Sequence, residues 1–178
     1  MPSLISNMQA AAQEVLKGKH LRDFFSSSVL HEAAMQILDR FMSMESPCYW
    51  LDYLMPADNR LNKLATSSRS DDTILSYVSK FDQLMTETRA VLSSAGFGSV
   101  AEISLKAVLG GLIEDMGVQA EGGSLASGMP LAKLLPRIVQ MCPHLLDEPS
   151  KNRFIQIIQS VPEVELFFTL LYANLPTS

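Results

Sequence analysis

The chain has few charged side chains for its length. Asp, Glu, Lys and Arg make up 19% of its 178 residues, against roughly 25% in an average soluble domain. Apolar residues make up 47%. A folded chain of this size needs a polar, solvated surface. The shortage of charge therefore indicates that a partner or a second copy covers part of the apolar surface.

An excess of basic residues is also lacking. The formal net charge is −5, from 14 basic and 19 acidic side chains that are spread along the chain without a basic stripe. Proteins that bind nucleic acid neutralise its phosphates with clustered Lys and Arg. The composition therefore predicts no nucleic-acid partner.

Signals for export and for the membrane are missing as well. The two cysteines, Cys48 and Cys142, are too few for a disulfide framework. The N-terminus has no basic segment followed by an apolar one. No continuous apolar run approaches the ~20 residues needed to cross a bilayer, and the densest run is Leu166–Ala173. These absences predict an intracellular, cytoplasmic protein with no membrane span.

Motifs for catalysis, metal binding or cofactor binding lack their required context. The segment Gly96–Ala101 has the letters G-x-G-x-x-A of a dinucleotide-binding loop, but it follows a predicted helix where that loop requires a strand. We interpret it as a corner between two helices, with Ser99 capping the second one. The segment Cys142–His144, with Asp147 and Glu148, lacks the ligand spacing of a zinc site and is interpreted as a turn. The chain is predicted not to be an enzyme, with no catalytic residues, no metal and no cofactor.

Helical periodicity dominates what the sequence does contain. Apolar residues recur at three- and four-residue spacing, most clearly from Asp71 to about Ala95, and the sustained alternation of strands is absent. Six of the nine prolines lie between Pro130 and Pro176. These prolines separate short predicted helices at Leu131–Met141, Ser150–Ser160 and Glu163–Leu175. The sequence predicts an all-α fold: an irregular multi-helix bundle with short, proline-punctuated helices in its C-terminal part.

We expect a single helical domain over residues 1–178. Its sub-parts, about 1–116 and 130–178, are joined by a glycine-rich loop at 117–128 that holds four of the nine glycines. This loop is either a flexible linker or a segment that orders on a partner. Gly110 and Gly111 lie inside a predicted helix, where each costs roughly 1 kcal/mol relative to alanine. We therefore expect a neighbouring helix to approach closely at this point.

Two apolar clusters are candidate partner-binding sites. Tyr49, Trp50 and Tyr53 share one side of a short predicted helix, and Tyr and Trp are common interface anchors. A helix of the domain core would explain the same residues. The C-terminal helix is apolar nearly all round, as expected of a helix that is central to a domain or covered by another subunit. Because termini are seldom central, we favour subunit contact. The candidate residues on this helix are Phe167, Phe168, Leu171 and Tyr172.

These features predict a non-catalytic protein–protein interaction module: an adaptor, an assembly factor or a small structural subunit of a larger complex. The module would bury apolar helix faces against a protein partner or against copies of itself in a homo-oligomer. The alternative is a carrier or sensor of a small apolar ligand held between helices, with polar groups such as Tyr49, Tyr77 or His31 in the lining.

Overall fold

The fold is all-α, as the sequence predicts. The computed structural model describes residues 2–43, 53–55, 72–118 and 125–173. The α-helices within these ranges are α1 (Pro2–Val15), α2 (Ser27–Ser43), α3 (Asp72–Leu92), α4 (Ala95–Val118), α5 (Leu131–Met141), α6 (Arg153–Gln159) and α7 (Pro162–Ala173). Short 3-10 helices cover Leu125–Ser127 and Cys142–Leu146.

The chain divides into two compact units. The larger unit comprises Pro2, Leu4–Met44 and Val100–Ser178, and the smaller one comprises Met1, Ser3 and Glu45–Ser99. Helix α3 and the first turn of α4 belong to the smaller unit. Helices α1, α2, α5, α6 and α7 and the remainder of α4 belong to the larger unit. The single domain over 1–178 stays a prediction.

In the smaller unit, two serines separate α3 from the start of α4. The backbone N–H of Phe97 donates a hydrogen bond to Ser94 Oγ at 3.1 Å, so Ser94 caps α4. The predicted helix–helix corner exists, but it lies at Ser93 and Ser94, and the segment Gly96–Ala101 is inside the first turns of α4. The predicted cap at Ser99 is wrong, because α4 already begins at Ala95.

The core of the larger unit forms where α2, α4 and α5 meet. Its buried residues are Phe25, Leu30, Ile113, Met116, Leu125, Met129, Leu134 and Met141. Leu125 belongs to the predicted glycine-rich loop and is 1% exposed. The end of that loop is therefore packed into the core, and residues 119–124 of the loop lie outside the described residues.

A small antiparallel sheet connects the chain before α2 with the chain before α5. Strand β1 (Phe24–Phe25) pairs with strand β2 (Met129–Pro130), with Phe24 opposite Pro130 and Phe25 opposite Met129. Gly128, just before β2, has a φ of +81°, a conformation that favours glycine. Strands of two residues contain no alternation, so the sequence pattern does not reveal them.

Helices α4 and α6 approach each other closely. A Cβ atom on Gly111 would lie 2.5 Å from Ile157 Cδ1, so the absence of a side chain makes room for α6. This contact confirms the expected close approach at one of the two glycines; Gly110 has open space around it. Arg153 on α6 forms ion pairs with Asp115 and, at 3.4 Å, with Glu114 on α4.

Helices α5 to α7 follow the proline-punctuated pattern. Helix α5 has the predicted bounds and continues through Pro136. The buried side chain of Asn152 accepts hydrogen bonds from Phe154 N–H at 2.9 Å and Ile155 N–H at 3.2 Å, and so caps α6. Helix α7 begins at Pro162, a position at which the missing N–H costs nothing.

Candidate functional site

Helix α7 presents most of its apolar residues to solvent. Four of them are between 49% and 70% exposed: Leu166, Phe168, Leu170 and Tyr172, hereafter the α7 surface. Val164 is 7% exposed, and Phe167 and Leu171 are half-buried. At 3.6 residues per turn, these last three residues share one side of the helix, with the α7 surface on either side of it. Helix α7 is therefore attached to the larger unit along one narrow face.

The structure divides the predicted partner-binding residues of α7 into two groups. Phe168 and Tyr172 are exposed, whereas Phe167 and Leu171 are half-buried. The rings of Phe167 and Phe168 meet edge to face, with centroids 5.8 Å apart. The prediction omitted Leu166 and Leu170. A helix that is apolar all round has no polar face from which its buried side can be identified.

The aromatic cluster before α3 lies mostly outside the described residues. Tyr49 and Trp50 are outside them, whereas Tyr53 is helical and half-buried. Its neighbour Leu54 is 55% exposed. A partner-binding role for Tyr49, Trp50 and Tyr53 stays a prediction.

An apolar cavity of about 280 Å³ lies between α2, α4 and α5 in the larger unit. Buried core residues such as Phe25, Leu30 and Ile113 form its floor, and the exposed side chains of Leu135 and Leu145 mark its opening. The lining residues carry no ionisable group except the thiol of Cys142. They are Leu16, Phe25, Leu30, Ala33, Ala34, Ile37, Leu109, Leu112, Ile113, Met116, Leu131, Leu135, Ile138, Met141, Cys142 and Leu145.

Of the polar groups suggested for the lining of a ligand cavity, the described one, His31, does not line this cavity. His31 lies in a different, polar depression at the start of α2. The side chains of Tyr49 and Tyr77 lie outside the described residues. The cavity therefore offers apolar contact with almost no hydrogen bonding.

The cavity exposes apolar side chains to solvent at its opening. Removing apolar surface from water contributes roughly 25 cal/mol per Å². An apolar occupant would therefore stabilise the larger unit.

The polar depression at the start of α2 has the features of a helix cap. Ser26 Oγ accepts a hydrogen bond from Val29 N–H at 3.3 Å and lies 2.9 Å from Ser28 Oγ. The Ser26 hydroxyl therefore caps α2 by accepting from one N–H of its first turn. His31 and Glu32 both line the depression, but adjacent residues on a helix do not face each other.

The Cys142–His144 segment lies in a surface 3-10 helix. Cys142 Sγ donates to the carbonyl oxygen of Ile138 at 3.6 Å, and His144 Nδ1 lies 3.7 Å from Asp147 Oδ2. Across the part of the chain that the structure describes, no group of three His, Cys, Asp or Glu side chains converges to hold a metal ion.

Two curated relatives match this chain along almost its whole length. The chain is 56% identical over 177 residues to Peroxisome biogenesis protein 3-2 of Arabidopsis thaliana. It is 52% identical over 176 residues to Peroxisome biogenesis protein 3-1 of the same organism. Both alignments cover 99% of this chain, but 47% and 46% of the relatives. The chain thus spans about half the length of the curated relatives it matches.

These relatives correct the predicted location. Both relatives are named for the biogenesis of peroxisomes, which are membrane-bounded organelles, so the predictions of a cytoplasmic protein and of no membrane span are wrong. By length and composition, the segment Ala95–Gly117 of α4 could cross a membrane, and α6 and α7, bent by 66° at their break, pass the same test as a pair. Glu102 and Lys106 interrupt the apolar run in α4, which is why a search for continuous runs misses it.

A family model leads to the same assignment as the individual relatives. The model described as Peroxin-3 matches residues 3–174, which is nearly the whole chain. The match includes all the described helices from α2 to α7, and therefore both compact units. On this basis the chain belongs to the Peroxin-3 family.

Proposed function

We propose that this chain acts in peroxisome biogenesis as a non-catalytic docking protein that binds a protein partner through the α7 surface. Its family and relatives are named for the formation of an organelle and not for a reaction, which supports an assembly role. The observation that carries the proposal is the exposure of Leu166, Phe168, Leu170 and Tyr172 on a helix whose one buried residue is Val164.

A docking role accounts for apolar residues that the core of the larger unit does not use. Leu166 and Leu170 are four residues apart, as are Phe168 and Tyr172, so each pair forms a stripe along the helix. Burying a Leu or Phe side chain contributes about 1.5–3 kcal/mol. Interfaces concentrate their affinity in a few such residues, particularly aromatic ones. The two stripes together suit a partner that contacts α7 from both sides of its attached face.

Site-specific photo-crosslinking in cells tests the proposal. Tyr172 is replaced by p-benzoylphenylalanine in the full-length protein, and irradiation is expected to give a discrete adduct with another protein. The same replacement at Gln156, an exposed residue of α6, is the control and should give no adduct.

A second substitution connects the adduct with function. Phe168→Ser in the crosslinking protein is expected to reduce the adduct yield about tenfold, as loss of ~1.4 kcal/mol of binding would. Peroxisome formation in cells that lack the endogenous protein should fall in parallel. The control substitution Gln159→Ser should change neither quantity. No adduct from any of the four positions of the α7 surface, or an adduct with the mass of two copies, would contradict the proposal.

A further inference from the structure

We propose that the apolar cavity binds one alkyl chain of a single-chain amphiphile. This inference does not rest on the docking role of α7, because it concerns a different place in the larger unit. It starts from the position of the cavity between three helices, with buried core residues at its floor and exposed lining residues on α5 and the 3-10 helix that follows it.

The volume of the cavity sets the size of its ligand. A water molecule takes up roughly 30 Å³ of liquid, and a methylene group is of about the same size, so 280 Å³ holds about nine methylene groups. Volumes of this order lie near the lower end of known ligand pockets, at about 300 Å³. A chain of about nine carbons therefore fills the cavity.

The shape of the cavity favours an extended ligand. Its lining runs along α4 from Leu109 to Met116 and along α5 from Leu131 to Met141. At 1.5 Å per residue, these stretches are about 10 Å and about 15 Å long. A volume of 280 Å³ over that length leaves a cross-section of about 20–30 Å², whereas an α-helix is about 10–12 Å in diameter. One alkyl chain fits inside, and a helix of a partner does not.

The chemistry of the lining determines where the polar end of the ligand lies. Burying a polar group without a hydrogen-bond partner is costly, and the floor residues Phe25, Leu30 and Ile113 offer no side-chain partner. The polar end must therefore stay in solvent at the opening. Leu135, Ile138, Cys142 and Leu145 are the exposed lining residues there.

Binding of a series of linear alcohols to the purified chain tests this assignment. In titration calorimetry, each added methylene from 1-butanol upward should tighten binding about fourfold. The increase should stop at about nine carbons, because further methylenes remain outside the cavity. An affinity that keeps rising to 1-dodecanol, or no binding at all, would overturn the proposal.

Filling the cavity with a larger side chain should shorten the alcohol chain length at which affinity stops increasing. Ala34→Leu adds three carbons to the lining, so the increase should stop at about six carbons. Ala132→Leu makes the same change at an exposed position of α5 and should leave the limit at about nine. Circular dichroism establishes that each variant is folded, and Ala33→Leu serves as a second lining variant if Ala34→Leu does not fold. If affinity stops increasing at the same chain length in the lining variant and in the control, the cavity is not the binding site.

Thiol labelling gives an independent measure of occupancy. In a Cys48→Ser background, the rate at which N-ethylmaleimide modifies Cys142 should fall about tenfold with saturating 1-nonanol, because the ligand passes the Sγ atom at the opening. An unchanged rate would contradict the assignment.

The source of the alkyl chain is distinguished with phosphatidylcholine vesicles. Co-sedimentation that is lost in Ala34→Leu but kept in Ala132→Leu would identify an acyl chain taken from a bilayer. Alcohol binding without vesicle binding would identify a soluble amphiphile. Both results support an alkyl-chain site. If Ala34→Leu instead abolishes a dimer that excludes 1-nonanol, the cavity is an interface between copies and the proposal fails.

Discussion

Helices α2 and α7 lie in the same compact unit and use their apolar residues in different ways. Helix α2 buries Leu30, Leu38 and Phe41 and exposes polar residues such as Glu32 and Gln36. Helix α7 is the more apolar of the two, yet its one buried residue is Val164. Burial therefore follows the position of apolar residues around the helix and not their number. Helix α2 is matched to the core of its own chain, whereas α7 has apolar residues on sides that the chain leaves open.

The largest expected effect is the difference in stability loss when the same substitution, Leu to Ala, is made in α2 and in α7. Leu38 on α2 is 5% exposed, so Leu38→Ala should lower the free energy of unfolding by about 2–5 kcal/mol. Leu170 on α7 is 53% exposed, and Leu170→Ala should lower it by less than about 1 kcal/mol. Urea unfolding followed by circular dichroism measures both values. Similar losses for the two variants would remove the contrast between α2 and α7.

An intermediate effect is expected at the residue that positions α6 ahead of α7. Asn152 is 2% exposed, caps α6 and donates to the carbonyl oxygens of Leu145 and Asp147 at 3.1 and 3.3 Å. Asn152→Ala should therefore lower the free energy of unfolding by about 1–2 kcal/mol. Gln156→Ala, at an exposed position of the same helix, is the control and should change it by less than about 0.5 kcal/mol. If Asn152→Ala lowers the free energy of unfolding no more than Gln156→Ala does, the cap does not stabilise the start of α6.

The smallest effect on stability is expected on the α7 surface itself. Phe168→Ser should lower the free energy of unfolding by about 1 kcal/mol or less, because half of the ring is in solvent and its main described contact is with the neighbouring Phe167. The same variant should bind less of an apolar dye such as ANS, since it removes exposed apolar area. Phe41→Ser on α2 is the comparison, and it should destabilise the protein severely because Phe41 is 3% exposed. A marked loss of stability in Phe168→Ser would show that α7 is part of the core.

The sequence specifies the helices of the larger unit well. Helix α5 has the predicted bounds of Leu131–Met141, and α7 covers Pro162–Ala173 where Glu163–Leu175 is predicted. Prolines and capping residues act within one turn of the chain, so their effect can be read locally. The stripe of α2 is equally readable, because its polar residues define the side that faces solvent.

Contacts between distant parts of the chain cannot be predicted from local sequence patterns. The pairing of Phe25 with Met129 joins two strands that are too short to have a pattern. The cavity depends on how α2, α4 and α5 are spaced, and composition contains no such information. The α7 surface was predicted only in part, because Leu166 and Leu170 look no different in sequence from Val164. The proposed role in peroxisome biogenesis is supported by the names of the relatives, and the helical pattern contains no signature for it.

The lack of a side chain at Gly111 affects more than α4 itself. The end of the Ile157 side chain occupies the space that a methyl group at residue 111 would take, so a bulkier residue there would force Ile157 into another rotamer. Ile157 lies on the helix that precedes α7, and two residues, Ser160 and Val161, connect α6 to α7. The packing of α6 against α4, from which α7 continues, therefore includes a position that no partner of α7 needs to touch.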